Sequence, residues 1–103
     1  PDIWLLDLKR NVPKRVTTWE GFDSTPMWHG TSLYYVSDRG PEQRRNIWSY
    51  DLRTTKHRQL TMFTDFDVTS ASIGPGEGGE GEIIFGHGAG IGFGSVQCLS
   101  TLS

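Results

Sequence analysis

One cysteine, Cys98, stands alone in 103 residues, so no internal disulfide can hold the fold together. No apolar run approaches the roughly 20 residues that a membrane-spanning helix needs. Neither sign of charge dominates. Ten Lys and Arg are interspersed with twelve Asp and Glu for a net charge of −2, so no strong field gathers a polyanion, and no nucleic acid is expected as a partner. Arg44-Arg45 and the Lys56/Arg58 pair read as solvated charge on a loop and an edge strand. No stretch sustains a helical period, and no secretory leader is visible. The chain opens at Pro1 and its first methionine is Met27, so its true N-terminus is expected to lie upstream.

What is present is apolar and aromatic. Hydrophobic residues make up 35% of the chain and aromatics 12%, with four tryptophans. That excludes a disordered tail, which fails to fold for want of surface to bury, and it suits one small domain.

The strongest signal is a duplication. Residues 2–17 read DIWLLDLKRNVPKRVT and residues 46–61 read NIWSYDLRTTKHRQLT. At a constant spacing of 44, Ile3 matches Ile47, Trp4 matches Trp48, Asp7 matches Asp51, Leu8 matches Leu52 and Thr17 matches Thr61. The spacing persists through Phe22/Phe66, Asp23/Asp67, Thr25/Thr69 and Gly30/Gly74. Leu33-Tyr34-Tyr35 then corresponds to Ile83-Ile84-Phe85 if six extra residues lie in the stretch GPGEGGEGE. A turn tolerates such an insertion because loop-closure entropy grows slowly with length.

Each copy reads as short strands at 24–29, 32–37, 45–52 and 57–61, divided by turn-forming clusters. Four strands in 40–45 residues is the size of one β-propeller blade. The fold class expected is therefore all-β, a propeller fragment of about two to two and a half four-stranded antiparallel blades. Residues 1–18 would end one blade (strands at 2–8 and 13–17) and 24–61 would form a complete one. Residues 68–86 would begin a third, with strands at 68–73 and 82–86. A β-sandwich shares the strand spacing but has no reason to repeat Ile-Trp-x-x-Asp-Leu.

Within this scheme the repeated residues are packing elements. The rings of Trp4 and Trp48 are expected to fill gaps between adjacent blades, where truncation to Ala costs about 3–5 kcal/mol. Asp7 and Asp51 are placed to accept backbone N–H groups in the turns that follow them. No catalytic, cofactor-binding or metal-binding residue is assigned. In GHGAGIGFGS, a G-x-G-x-x-G begun at Gly86, Gly88 or Gly90 meets Ile91, Phe93 or Ser95 where its third glycine belongs. A nucleophile elbow needs glycine two residues before and after its serine, but Phe93 stands before Ser95 and Tyr34 after Ser32. His29, His57 and His87 lack zinc-ligand spacing, and His29 reads as a turn residue near a channel. Asp65 and Asp67 lack the glycine and distal Glu of a calcium loop and read as rim-facing loop residues. Nothing around Cys98 points to a lowered thiol pKa.

The segments Pro26-Met27-Trp28-His29-Gly30, Leu33 to Gly40 (LYYVSDRG), Ile47-Trp48, Asp51-Leu52 and Leu60-Thr61 carry a resemblance over residues 2–85. They resemble the WD-repeat-like blades of the Tol-system periplasmic propeller protein and of tricorn-type serine proteases. The shortened Trp28-His29-Gly30 turn, Asp38 and Arg39 in SDRGP, and FTDFDV at 63–68 look most like the proteases. The tail GHGAGIGFGSVQCLSTLS departs from the pattern, which would supply a third strand with another aromatic and Asp-Leu. Its glycine density suggests that 87–103 is a divergent or truncated tail.

The resemblance implies a non-catalytic propeller segment that filters peptides on their way to a separate C-terminal serine-peptidase domain. It also implies the rest of the propeller as a partner, a homo-oligomeric parent and a cytoplasmic setting. None of the family's catalytic residues falls within this chain. The alternatives are a Tol-type, periplasmic protein-binding propeller and the propeller cap of a prolyl-oligopeptidase-like or amidohydrolase enzyme.

Overall fold

The computed structural model describes residues 2–17, 21, 23–88 and 92–98. Phe22, paired above with Phe66, lies outside them. The described residues form nine β-strands, and the only helical element among them is a 3-10 turn at Glu77–Gly79. The strands are β1 (Trp4–Asp7), β2 (Val12–Arg15), β3 (Asp23–His29), β4 (Ser32–Ser37), β5 (Asn46–Asp51), β6 (His57–Gln59), β7 (Val68–Gly74), β8 (Glu82–His87) and β9 (Gly92–Gln97). They make three antiparallel sheets: the ribbon β1-β2, the four-stranded β3-β4-β5-β6 and the three-stranded β7-β8-β9. All neighbours are sequential, so each sheet is a meander.

The architecture is the all-β stack of blades that the duplication led one to expect. β3 and β7 meet across the sheets and each pairs on one side only, so they form the inner edges from which the blades splay. Both carry a break in register, between Ser24 and Met27 in β3 and between Val68 and Ala71 in β7, again 44 residues apart. A bulge at an inner edge bends and twists the strand without losing the rest of its ladder.

The hairpins show why these residues pair as they do. Gly30, at φ 60°, makes the tight reversal from β3 to β4, in a backbone region that glycine enters without strain. In the third sheet the reversal is replaced by the longer segment 75–81, where the sequence placed its insertion. Leu52 donates its N–H to the Thr31 carbonyl at 3.0 Å, and Cys98 donates to the Gly81 carbonyl at 2.9 Å. The same bond thus closes the second and third sheets on either side of the insertion.

Residues 92–97, read from sequence as part of a tail, form a strand paired along β8. Glycine is a poor strand residue because it offers no side chain to pack. Here cross-strand rings cover the glycines. Gly94 faces Phe85 and Gly92 faces His87 in register, and each ring occupies the space a Cβ would need. Gly86 in turn faces Phe93. This pairing of aromatic with glycine restores the packing that glycine alone lacks.

Two apolar clusters lie between the sheets. Ile3 and Val16 of the ribbon side meet Leu33, Tyr35 and Tyr50 of the second sheet, with Leu5 and Trp48 packed around them. On the other face Met27, Tyr34, Val36 and Ile47 meet Val68, Ile83, Phe85 and Cys98 of the third sheet. Alternate residues of β4 therefore serve opposite interfaces, which is why Leu33-Tyr34-Tyr35-Val36 is apolar without a break.

Candidate functional site

The period of two along each strand gives every sheet two unlike faces. The front of the second sheet carries Leu33, Tyr35, Trp48 and Tyr50, turned to the ribbon; its back carries Tyr34, Val36 and Ile47, turned to the third sheet. Both junctions join a back to a front. Ile3, the counterpart of Ile47, is on the back of the ribbon and buried, and Trp4 is on its front.

That polarity separates the two repeated tryptophans. Trp48 is half-buried against the ribbon, with the Arg39 guanidinium 5.0 Å from its ring centroid. Trp4 faces the side on which the described residues place no further sheet and remains 57% exposed, so it fills no gap between blades here. At the matching position of the third sheet stands Gly94, because the Phe85 ring already lies across that site.

Around these residues the duplication extends to individual hydrogen bonds. The Thr17 hydroxyl accepts the Ile3 N–H at 2.9 Å, and the Thr61 hydroxyl accepts the Ile47 N–H at 2.9 Å. Asp7 Oδ1 accepts from the N–H groups of Lys9 and Arg10; Asp51 Oδ1 accepts from those of Arg53 and Thr54. The Arg53 N–H is the main reason the Asp51 carboxyl sits below the usual range. The two turns end alike, at Asn11 (φ 54°) and Thr55 (φ 60°), whose N–H groups reach back to the Asp7 and Asp51 carbonyls. A side chain that satisfies consecutive backbone donors fixes a turn locally, which explains the aspartates that end β1 and β5.

The front of the second sheet also holds a polar seam. The Tyr35 hydroxyl lies 2.7 Å from His57 Nδ1 and accepts from Arg39 at 3.3 Å. Burial raises the Tyr35 phenol to about 12, partly offset by Arg39. Burial also lowers the His57 pKa, Arg39 lowers it further, and the Val16 backbone of the ribbon side opposes both. Asp23 is buried where β3 begins, and neither of its oxygens meets hydrogen-bond geometry among the described residues. Burial pushes its carboxyl up, while the nearby Ser37 and Thr17 hydroxyls and Arg39 draw it back. The Trp48 indole N–H is likewise buried without an acceptor.

The remaining residues singled out from sequence fall in different surroundings. Leu8 is almost fully exposed in the β1-β2 turn, Leu52 is at the surface after β5, and Trp28 is half-exposed on β3. Asp38 and Arg39 follow β4, and the Arg39 N–H donates to the Ser37 hydroxyl. His29 ends β3 and approaches the Gly79 carbonyl across the second junction at 3.3 Å. Asp67 is not turned to the rim. The linker from outer β6 returns it to the threshold of inner β7, where its carboxylate accepts the Arg45 N–H at 2.7 Å and pairs with Arg44. Asp65 stays in that linker, bound through Oδ1 to the Thr64 hydroxyl. Burial raises the Cys98 thiol and the Tyr34 phenol, the latter to about 12.

Sequence reasoning did not single out Asp23, Tyr35 or His57 for the seam. Its one visible signal was Asp23/Asp67 holding the repeat spacing. A cleft of about 410 Å³ opens between the outer strands β5-β6 and the end of β9, lined by Tyr34, Arg53, Lys56, Arg58, Leu60 and Gln97. Among the described residues no three His, Cys, Asp or Glu side chains gather closely enough to hold a metal ion, and no helix is long and apolar enough to cross a membrane.

Comparison with known proteins agrees with the blade geometry. Residues 1–93 match the family model described as the tricorn protease N-terminal β-propeller domain. No curated protein and no solved structure matches the chain.

Proposed function

Because the chain belongs to the tricorn protease N-terminal β-propeller family, we propose that it helps to line a channel admitting extended peptides to a separate serine-peptidase domain. The observation that carries this reading is the convergence of the bulged inner strands β3 and β7. Their free edges expose Thr25 and Pro26 in one sheet and Thr69 and Ser70 in the next, at equivalent positions. A ring of such edges makes a bore lined by small hydroxyl side chains and bulged backbone. A bore of fixed width passes an extended chain and excludes a folded one.

The test is made in the tricorn-like protease that carries this propeller. Thr25→Trp and Thr69→Trp place bulk at equivalent, exposed positions of the two inner edges. Turnover of peptides of about ten residues should fall several-fold, while turnover of dipeptide or tripeptide reporters stays unchanged. An unaltered ratio of long to short substrates would remove the channel role and favour a surface that docks partner proteins.

A further inference from the structure

Two features singled out from sequence meet at one end of the inner strands. They are His29, expected near a channel, and the glycine-rich insertion of the third sheet. The β3-β4 hairpin closes on the pair His29–Ser32 and the β7-β8 hairpin on Gly74–Glu82, so both turns stand at the same mouth of the bore. The first turn is Gly30-Thr31, whereas the second runs over seven residues, 75–81. Gly76, Gly78, Gly79 and Gly81 hold φ between 65° and 89°, a course that other residues would resist. The base of this loop is made fast. The Gly81 N–H donates to the Pro75 carbonyl at 2.8 Å, and the Gly81 carbonyl accepts from Cys98 at 2.9 Å. The tip is held differently. Gly78, Gly79 and Glu80 are exposed, and the tip meets the second sheet at His29, whose Nε2 lies 3.3 Å from the Gly79 carbonyl. The same ring fills the space beside Gly81, where a Cβ would stand 2.6–2.9 Å from three of its atoms.

We propose that His29 is a latch, which holds the loop 75–81 against the rim between the second and third sheets and so keeps this mouth of the bore clear. The inference rests on the channel reading above. Both halves of the latch belong to sheets that this chain supplies, and the loop leans back from its own sheet onto the inner strand of the one before. Fixed at both ends, seven residues can reach about 10 Å from their base. Gly78 and Gly79 bring no side chain to pack the tip down. The His29 contact therefore decides whether the tip lies along the rim or swings over the opening.

The test is made in the tricorn-like protease that carries this propeller. His29→Ala should free the tip, so hydrogen exchange at 78–80 should rise. Turnover of the long peptides should fall several-fold while the short reporters keep their rate. Replacing 75–81 with Gly-Thr, the turn of the second sheet, removes the tip and should leave both rates unchanged. Joined to His29→Ala, the same replacement should restore the long-peptide rate, which a purely structural role for His29 would not allow. Gly81→Ala, whose Cβ displaces the His29 ring, takes the place of His29→Ala if circular dichroism shows that variant unfolded. Long-peptide turnover that holds or rises in the His29→Ala enzyme overturns the proposal. So does a shortened loop that lowers turnover alone or fails to rescue it. Thr25→Trp and Thr69→Trp, measured alongside, separate the two readings. A loss in them without one in His29→Ala removes the latch and keeps the channel; no loss in them removes the channel and the latch with it.

Discussion

The two junctions of this arc are built by one repeat and yet differ in kind. Between the second and third sheets the heart of the contact is apolar, with Met27, Val36 and Ile47 against Ile83, Phe85 and Val68, and polar contacts lie at its ends. Between the ribbon and the second sheet an apolar patch shares its area with Tyr35, His57, Arg39 and the buried Asp23. The duplicated positions supply the packing common to both. The polar seam adds His57 and Arg39, which have Pro13 and Ile83 at the repeat spacing of 44. A dry junction loses stability chiefly through cavities. A junction with buried polar groups also responds to protonation and to any change that strands a donor or acceptor.

The largest expected effect tests the dry junction. Phe85→Ala removes a buried ring that packs on Phe63 and covers Gly94, so unfolding free energy should fall by about 3–5 kcal/mol. Urea titration measures it. A loss below about 1 kcal/mol would mean that Phe85 carries neither the junction nor the β8-β9 pairing. The tryptophans come next. Trp48→Ala should cost about 2–3 kcal/mol and Trp4→Ala less than about 1, because only Trp48 has a sheet packed against it. Equal losses would break the account of front and back faces.

A smaller pair compares the equivalent threonines. Thr61→Val leaves the Ile47 N–H buried without an acceptor and also deprives Asn46 of a donor. About 1–3 kcal/mol should be lost. Thr17→Val strands the Ile3 N–H in the same way, but the second partner of Thr17 is the Asp2 carboxylate, which keeps its ion pair with Arg15. Its loss should be the lesser of the two by the same denaturant measurement.

How much of this was legible in the chain follows from what repeats. Ile3/Ile47, Asp7/Asp51 and Thr17/Thr61 hold their spacing because each serves a contact made in both the ribbon and the second sheet, so comparing the chain with itself finds them. The third sheet was harder to read. Its outer strand has Gly94 where Trp48 stands and Gln97 where Asp51 stands, so the motif is lost although the pairing is kept. The signal available was an aromatic opposite each glycine, visible only once β8 and β9 are placed in register. The seam was hidden for another reason. Tyr35 and His57 are 22 residues apart, and nothing in their local sequence marks a hydrogen bond between β4 and β6.

The smallest effect separates the junctions by pH, and its two groups act with opposite sign. The pKa of His57 is lowered in the fold, so its neutral form is the stabilising one. Its contribution is complete above the ordinary histidine value and fades as pH falls through the depressed one. The pKa of Asp23 is raised, so the fold takes up its proton more readily than the unfolded chain does. Ionised Asp23 therefore weakens the fold at neutral pH, and that penalty disappears on acidification below the ordinary aspartate value. Asp23→Asn keeps the shape without the charge and should raise stability at pH 7 by about 1 kcal/mol, with no gain near pH 3. His57→Gln should flatten the loss between pH 7 and 5 while leaving the Asp23 effect in place. Urea midpoints of the two variants and the unmodified chain across that range measure both. A destabilised Asp23→Asn chain at pH 7 would show that the carboxylate is held by partners strong enough to keep it charged, and the seam would then be an ionic clamp instead of a strained one.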